Sequence, residues 1–205
     1  MAATLVPEQA TRTGRGGRPR DPSRDDVIRA AILRLLGDVG YGALTMDAVA
    51  AEAGVGKATI YRRWRTKQDL VVDTVSEVNR SWTVDADTGS LEGDLRVLVH
   101  RMVEMMSSPV GAATRSLLAA MQHEPALTEA FREGPLAVWR RAFGEMWARA
   151  RARGEVATDL QQSIPAEAVT ALLVQRWLVT REPVDTQYAD AVLETVVLPL
   201  VRRHR

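Results

Sequence analysis

The chain has 205 residues, 46% of them hydrophobic and 26% charged, which is typical of a soluble globular protein with a core of its own. It contains no cysteine, which excludes disulfides, thiolate nucleophiles and cysteine-based metal sites. No apolar run approaches the roughly 18 residues of a membrane span, and the N-terminus lacks the apolar segment of a signal peptide, so we expect a cytoplasmic protein.

The net charge of +1 conceals an uneven distribution of charge along the chain. Residues 1–67 contain 12 lysines and arginines against 7 acidic residues, whereas residues 68–205 contain 15 against 19. A basic N-terminal part on a mildly acidic remainder predicts that the N-terminal part binds a polyanion.

Residues 1–22 predict a disordered basic arm, because they hold arginine, glycine and proline but too few apolar residues to fold alone. Two functions remain open for this arm. Arg18 and Arg20 can enter a DNA minor groove, where inserted arginine is favoured, or the arm is a solvated tail that adds only nonspecific attraction.

The first helix is predicted over residues 24–39. Ser23 and Asp26 form a capping-box pattern at its start, and apolar residues at helical spacing continue to Val39. Gly40 then provides a stop, so we expect this helix to pack across the next two helices as the third member of a small bundle.

Residues 45–64 predict two short helices joined by a tight turn. Thr45 is the expected N-cap of the first of them. Gly54 lies just past its apolar face, where glycine can adopt the left-handed conformation that ends a helix. Two short helices around a glycine-containing turn indicate a helix-turn-helix, which places its second helix in the DNA major groove.

The second helix of this pair has two different sides. At about 100° per residue, Ile60 and Trp64 form its buried side. The opposite side and its flanks combine a small residue, hydrogen-bonding groups and cations, which suit a major groove: Ala58, Thr59, Tyr61, Arg62 and Arg63. The alternative is an ordinary amphipathic helical hairpin with a solvated basic face.

Residues 54–70, Gly-Val-Gly-Lys-Ala-Thr-Ile-Tyr-Arg-Arg-Trp-Arg-Thr-Lys-Gln-Asp-Leu, closely resemble the signature of the tetracycline-repressor (TetR) family of bacterial transcription regulators. That signature runs Gly-Val-Ser-Lys-Gly-Thr-Leu-Tyr, two variable residues, an aromatic residue, two more residues and a lysine. Gly56 stands where the family commonly has serine, so a hydroxyl that could contact phosphate is missing. The resemblance is strong over about 25–80, and farther along it rests on helix order and on residues 176–183.

The resemblance implies contacts from Thr45, Tyr61 and Lys67 to the DNA backbone. Thr45 and Lys67 also lie at predicted helix N-termini, where free amides and the helix dipole favour anions. Arg62 is the expected base-contacting residue, because a guanidinium can form two hydrogen bonds to a guanine. The candidate DNA-binding residues are Arg18, Arg20, Thr45, Lys57, Ala58, Thr59, Tyr61, Arg62, Arg63 and Lys67.

The remainder of the chain predicts only helices, with prolines and glycines at their ends. The expected ranges are 66–82, 91–107, 110–121, 125–133, 136–153, 165–181 and a last helix from about 185 that Pro199 ends or bends. The predicted fold class is therefore all-α. We expect a disordered arm over 1–22, a helix-turn-helix domain over 23–66, and a helical effector-binding and dimerisation domain over 67–205.

Methionine and aromatic residues in this second domain suggest an apolar ligand cavity. Methionine adapts to irregular shapes, and the family resemblance implies an effector site in this part of the chain. The candidate ligand-binding residues are Met102, Met105, Met106, Arg115, Met121, Trp139, Phe143 and Trp147. Arg115 lies in an otherwise apolar helix and can meet an anionic effector. The alternative is that the apolar side chains pack on one another as core and that Arg115 is exposed.

The last two predicted helices are the most continuously apolar in the chain. Two such pairs related by a two-fold axis form an isologous four-helix interface. The candidate dimer residues are Val169, Leu172, Leu173, Trp177, Val192, Val196 and Leu200. The alternative is that both helices are simply buried within one chain.

The most concrete functional prediction is a repressor that binds a palindromic DNA operator as a homodimer. Release by a small-molecule effector is what the resemblance implies. Two alternatives remain open, a nonspecific DNA-organising protein and a helical small-ligand-binding protein. We expect no enzyme, cofactor or metal site, because His100, Glu104 and His123 match no recognised metal-ligand spacing and no catalytic or nucleotide-binding motif is present.

Overall fold

The computed structural model describes residues 22–156 and 164–203, and the regular structure in these ranges is entirely helical. The helices are α1 (Pro22–Asp38), α2 (Met46–Glu52), α3 (Lys57–Tyr61), α4 (Lys67–Trp82), α5 (Leu91–Met106), α6 (Pro109–Met121), α7 (Pro125–Glu133), α8 (Pro135–Ala152), α9 (164–180) and α10 (186–203). One further helical turn, Gly40–Ala43, follows α1. The predicted all-α class is confirmed. Arg18 and Arg20 lie outside the described residues.

Side-chain caps define where several helices begin. The Oγ1 atom of Thr45 accepts a hydrogen bond from the backbone N–H of Ala48 at 3.1 Å, which caps α2 as predicted. Thr66 and Asp69 form a reciprocal capping box at the start of α4. Ser90 caps α5 in the way that Thr45 caps α2, with its Oγ atom 3.1 Å from the amide nitrogen of Gly93.

Two hydrophobic cores divide the molecule, and we call them the head core and the body core. The head core joins α1–α4 with α6 and α7, and its buried residues include Ile28, Ile32, Leu36, Ile60, Leu70, Leu117 and Leu127. The body core joins α5, α8, α9 and α10, and its buried residues include Leu95, Leu98, Met146, Trp147, Val169, Leu173, Leu193 and Val197. Helices α6 and α7 therefore pack with the head helices, although they come later in the chain.

Helix α4 runs through both cores. Leu70, Val71 and Val75 lie in the head core, whereas Val78 and Trp82 pack against the body core. Helix α4 therefore connects the head core and the body core directly. None of the described helices is long and apolar enough to cross a lipid bilayer.

The start and the end of α1 differ from the prediction. The helix includes Pro22 and Ser23, so it begins before the predicted residue 24. Val39 falls beyond the last helical residue and is 51% exposed. Gly40 adopts a φ of 78°, which turns the chain away just after Val39 and explains why the apolar stripe ends earlier than predicted.

The last two helices contain π-helical stretches that the sequence analysis did not predict. In α9 the stretch is Gln175–Thr180, and in α10 it is Leu193–Val197. Pro199, which was expected to end or bend α10, does not end it, because the helix continues to residue 203. The π-helical turn changes the hydrogen-bonding register immediately before the proline, which has no N–H to donate, and the helix passes through.

A buried polar network ties the loop between α4 and α5 to the end of α8. The backbone N–H and the hydroxyl of Thr88 donate to the buried carboxylate of Asp94 at 2.6 and 2.8 Å, and Arg153 pairs with that carboxylate at 3.0 Å. Burial alone would raise the pKa of Asp94, but the bonds from Thr88 and Arg153 outweigh burial and lower it. Asp94 is therefore held in its charged form.

Candidate DNA-binding site and ligand cavities

The turn between α2 and α3 is built as the sequence predicts. Gly54 adopts a φ of 63°, the left-handed conformation that ends α2 without a steric penalty. The backbone N–H of Val55 then donates to the carbonyl of Ala50 at 3.0 Å, which closes the turn. This geometry places α3 across α2 in the manner of a helix-turn-helix.

One side of α3 is anchored in the head core. Ile60 is fully buried, and Trp64, just past the helix, is 6% exposed. The indole N–H of Trp64 donates to a carboxylate oxygen of Asp73 on α4 at 3.0 Å. Because a core contact and a hydrogen bond hold this side, the rotation of α3 about its axis is determined, and with it the identity of the outward face.

The outward face carries four of the predicted residues. Ala58 and Arg62 are exposed, Tyr61 is 50% exposed, and Thr59 is partly exposed at the side of the face. Lys57 is exposed as well, with its Nζ atom 2.6 Å from a carboxylate oxygen of Asp47. A solvent-exposed pair of this kind contributes little stability, so it does not prevent Lys57 from exchanging Asp47 for a phosphate.

Arg63 does not share this outward face. Its guanidinium forms an ion pair with Asp25 of α1 and lies 6.0 Å from the centre of the Trp64 ring, and its side chain is 17% exposed. Arg63 therefore fastens α3 to α1. Arg65, which the sequence analysis did not include, is an exposed cation in the loop before α4. The position of Arg65 directly after the buried Trp64 could have indicated from the sequence that its side chain is exposed.

Two of the predicted phosphate contacts are already engaged within the protein. The Oγ1 atom of Thr45 caps α2, and the ammonium of Lys67 donates to the carbonyl oxygen of Tyr41 at 2.9 Å and lies 4.3 Å from the centre of the Tyr41 ring. Burial, followed by the nearby carboxylate of Glu124, raises the pKa of Tyr41 to about 12, so the ring beside Lys67 stays neutral.

Most of the predicted methionine and tryptophan side chains pack in the body core. Five of them are buried in the body core, at 1–6% exposure: Met102, Met105, Met106, Trp139 and Trp147. Phe143 is partly buried against the same core, whereas Met121 packs on the head core. The indole N–H groups of Trp139 and Trp147 are buried and have no hydrogen-bond acceptor among the described residues.

Two clefts open elsewhere on the described surface. The larger, of about 1510 Å³, runs beside α4 from Arg62 of the head to Arg141 of α8. The smaller, of about 640 Å³, lies where α1 meets α6 and the end of α9, and Met106 and Arg115 are the predicted ligand residues that line it. The guanidinium of Arg115 is 5.1 Å from the centre of the Trp177 ring.

The histidine considered for a metal site has a structural partner. The Nε2 atom of His100 on α5 is 2.8 Å from a carboxylate oxygen of Asp190 on α10, and Glu104 pairs with Arg101 at 2.7 Å. Within residues 22–156 and 164–203, no three histidine or acidic side chains come together as metal ligands would. His100 therefore joins α5 to α10, whereas Glu104 pairs within α5.

The candidate interface residues on the last two helices are mostly inside one chain. Val169, Leu173, Trp177 and Val192 are buried in the body core, and the indole N–H of Trp177 donates to the carbonyl of Met106 at 3.1 Å. Leu172, Val196 and Leu200 are half-buried. Of the seven candidates, these three alone keep surface that a second chain could contact.

Comparison with known protein families assigns both parts of the chain. Residues 28–74 match the family described as bacterial regulatory proteins, tetR family, and residues 85–196 match the tetracyclin repressor-like C-terminal domain. The chain belongs to the TetR family. TetR family members are DNA-binding transcriptional regulators and not enzymes; they bind DNA as dimers and respond to small-molecule ligands through the C-terminal domain.

Individual TetR family relatives span almost the whole chain. An uncharacterized HTH-type transcriptional regulator of Mycobacterium tuberculosis is 31% identical over 193 residues, covering 91% of this chain and 94% of the relative. The DNA-binding transcriptional repressor TetR of Mycobacteroides abscessus is 29% identical, covering 89% and 96%. The crystal structure of the TetR family transcription regulator SCO0332 is 27% identical with a TM-score of 0.68, covering 86% and 97%.

Proposed function

We propose that this TetR family regulator is a repressor that binds a palindromic operator as a homodimer and leaves it when a small molecule binds the body. The observation that carries the proposal is the two-sided α3, with Ile60 and Trp64 anchored in the head core and Ala58, Thr59 and Arg62 turned outward. An outward face of this size and chemistry suits a major groove, and Arg62 is its candidate guanine contact.

Phosphate contacts complete the proposed DNA-binding surface. Tyr61 and Lys57 lie at the edges of the outward face, and the amides at the starts of α2 and α4 lie beside Thr45 and Lys67. Arg65 adds a further exposed cation. Arg18 and Arg20 of the arm remain proposed minor-groove contacts.

The proposed dimer interface uses the exposed sides of α9 and α10. On α9 this side carries Ala171, Gln175 and the 71% exposed Val179, and on α10 it carries Ala191 and Thr195. Small and uncharged side chains allow helices from two chains to approach closely in a four-helix bundle. Leu172, Val196 and Leu200 lie at the margin of this face, which we call the bundle face.

The proposed effector region is the body core around Trp139 and Trp147. Two buried N–H groups without acceptors are unusual in a packed core, and a ligand that brings an acceptor would satisfy them. Helix α4 connects this ligand region with the head, because its second half packs on the body core and its first half lies in the head core. We retain the proposed division into an arm (1–22), a DNA-binding domain (23–66) and an effector and dimerisation domain (67–205).

Selection of binding sites from random DNA tests the function. The wild-type protein is expected to enrich a palindrome whose half-sites are about one or more helical turns apart, roughly 10 base pairs per turn. A protein that binds DNA without enriching any sequence would be a nonspecific DNA-organising protein. One that shifts no DNA even at low salt would be a ligand-binding protein with an incidental basic head.

A charge placed on the bundle face tests the dimer. The double variant Ala171→Glu with Ala191→Glu is expected to sediment as a monomer and to lose operator binding, because four buried carboxylates would face one another in each dimer. Ala148→Glu is the matched control, since Ala148 is an exposed alanine within α8. If the double variant stays dimeric, the bundle face is not the interface.

A further inference from the structure

The smaller cleft joins the head to the body. One wall comes from Leu36 and Gly37 of α1, a second from Arg115 and Ser116 of α6, and a third from the end of α9 and the segment after it. The Oγ atom of Ser116 accepts a hydrogen bond from the backbone N–H of Tyr41 at 2.8 Å, directly between the head and α6. A molecule bound in this cleft would therefore touch both parts of the protein.

Two arginines line this cleft without a carboxylate to pair with. Arg115 lies over the Trp177 ring, and neither Arg115 nor Arg181 forms an ion pair with any described residue. The one carboxylate among the described lining residues, that of Glu182, is paired with Arg176 at 2.8 Å. The cleft therefore has a positive potential that favours an anion.

The rest of the lining is largely apolar. Met106, Leu178 and Val184 border the cleft beside Trp177. Trp177 is 7% exposed and is held in place by its hydrogen bond to the carbonyl of Met106. A simple inorganic anion would leave this apolar surface in contact with water, whereas an aliphatic chain would cover it.

Arg181 occupies an unusual backbone position. Its φ is 57°, the left-handed conformation, in a place where glycine or asparagine would be unstrained. The residue ends the π-helical stretch of α9 and lines the cleft. Strained residues and π-helical turns occur preferentially at functional sites, which supports a role for the Arg181 side chain in this cleft.

We propose that this cleft binds an organic carboxylate with an aliphatic chain. The carboxylate lies at Arg115 and Arg181, and the chain lies along Met106 and Leu178. Because α1 forms one wall, the bound molecule changes the position of the head relative to α6 and lowers operator affinity. This last step rests on the proposed function, whereas the binding itself does not.

Calorimetric titration of the full-length protein with octanoate tests the binding. Octanoate is expected to bind, and octylammonium, which has the same chain and the opposite charge, is not. Arg115→Gln and Arg181→Asn are each expected to raise the Kd for octanoate about tenfold, the effect of one charge-assisted hydrogen bond. Asparagine tolerates the left-handed conformation, so Arg181→Asn preserves the fold even if Arg115→Gln loosens the contact with Trp177.

Arg140→Gln is the matched control, because Arg140 is an exposed arginine of α8 outside the cleft and its loss should leave the Kd unchanged. The proposal is wrong if octanoate does not bind at millimolar concentration, if octylammonium binds equally well, or if Arg181→Asn has the wild-type Kd.

Operator binding is measured separately with and without octanoate. Arginine-dependent octanoate binding by a protein that selects no DNA site would contradict the proposed function and leave the cleft proposal standing. Specific DNA binding that octanoate does not weaken would overturn the coupling.

Discussion

The head and the body differ in the hydrogen bonding of their buried tryptophans. In the head, the indole N–H of Trp64 bonds to Asp73 and fixes the orientation of α3. In the body, Trp177 is also hydrogen-bonded, to the carbonyl of Met106, but Trp139 and Trp147 are as deeply buried and their N–H groups have no acceptor among the described residues. An unsatisfied buried donor costs about 1–3 kcal/mol. The bond of Trp64 therefore orients the surface that α3 presents, whereas the two unpaired indoles carry an energetic cost beside the proposed ligand region.

Among the variants that test this difference, Trp147→Ala is expected to have the largest effect. Removal of a 1% exposed indole from the body core should lower the free energy of unfolding by about 3–5 kcal/mol, measured by urea denaturation. Trp147→Phe, which removes the unpaired N–H and keeps an aromatic ring, should cost only about 1–2 kcal/mol. Leu136→Ala on the same helix is the control, because Leu136 is 42% exposed. A loss for Trp147→Phe of well over about 2 kcal/mol would show that the indole N–H has a hydrogen-bond partner that the variant removes.

Asp94→Asn tests a body site where the buried polar group is fully paired. Loss of the charge beside Thr88 and Arg153 should cost about 2–3 kcal/mol at neutral pH. The pKa of Asp94 is lowered in the folded protein, so its contribution is present above the ordinary aspartate pKa of about 3.9 and is lost as the pH falls through the lower folded value. Wild-type stability should therefore fall below about pH 4 more steeply than that of the variant.

The matched control for this pH dependence is Asp87→Asn. Asp87 also lies near Arg153, at 3.4 Å, but its side chain is 62% exposed, so little change in stability is expected. Parallel acid unfolding curves for wild type and Asp94→Asn would show that the lowered pKa of Asp94 does not cause the loss of stability at low pH.

Arg62→Ala tests whether the anchored head presents a base-contacting face. The variant should lose about 1–3 kcal/mol of operator affinity per half-site and relax the preference at one base position, with the free energy of unfolding unchanged. Arg63→Ala should lower the free energy of unfolding, because it leaves Asp25 without its partner. It should leave the base preference unchanged, because it does not alter the outward face. Binding-site selection and denaturation of both variants give the comparison. An unchanged base preference for Arg62→Ala would rule out its proposed contact.

The smallest effects come from two equivalent caps, one in each region. Thr45→Ala and Ser90→Ala each remove one 3.1 Å hydrogen bond to a helix amide and should each cost about 1 kcal/mol of stability. Only Thr45→Ala should also weaken DNA binding, because α2 lies against the proposed DNA-binding face. Similar loss of operator binding for Ser90→Ala would mean that the effect is transmitted through stability alone.

The sequence by itself determined the starts of α2 and α4, the end of α2 and the anchored side of α3. Thr45, Gly54 and the pair Thr66 and Asp69 act on amides within four residues, and such local interactions depend little on the remainder of the fold. The burial of Ile60 and Trp64 follows from their angular separation on one short helix. The family signature lies in this same segment, because a helix-turn-helix is defined by local geometry.

The tertiary structure alone decided the partners of side chains that contact residues distant in the chain. Arg63 turns inward because Asp25, which is distant in the chain, lies beside it, and Lys67 reaches the carbonyl of Tyr41 for the same reason. Helical periodicity shows that a side of α9 or α10 is apolar, but the period is the same whether that side is covered by the same chain or by a second copy. Val169 and Val192 are covered from within, which moves the proposed interface to the opposite side. Arg115 and Arg181 likewise come to line one cleft only because the packing of α6 against α9 brings distant segments together.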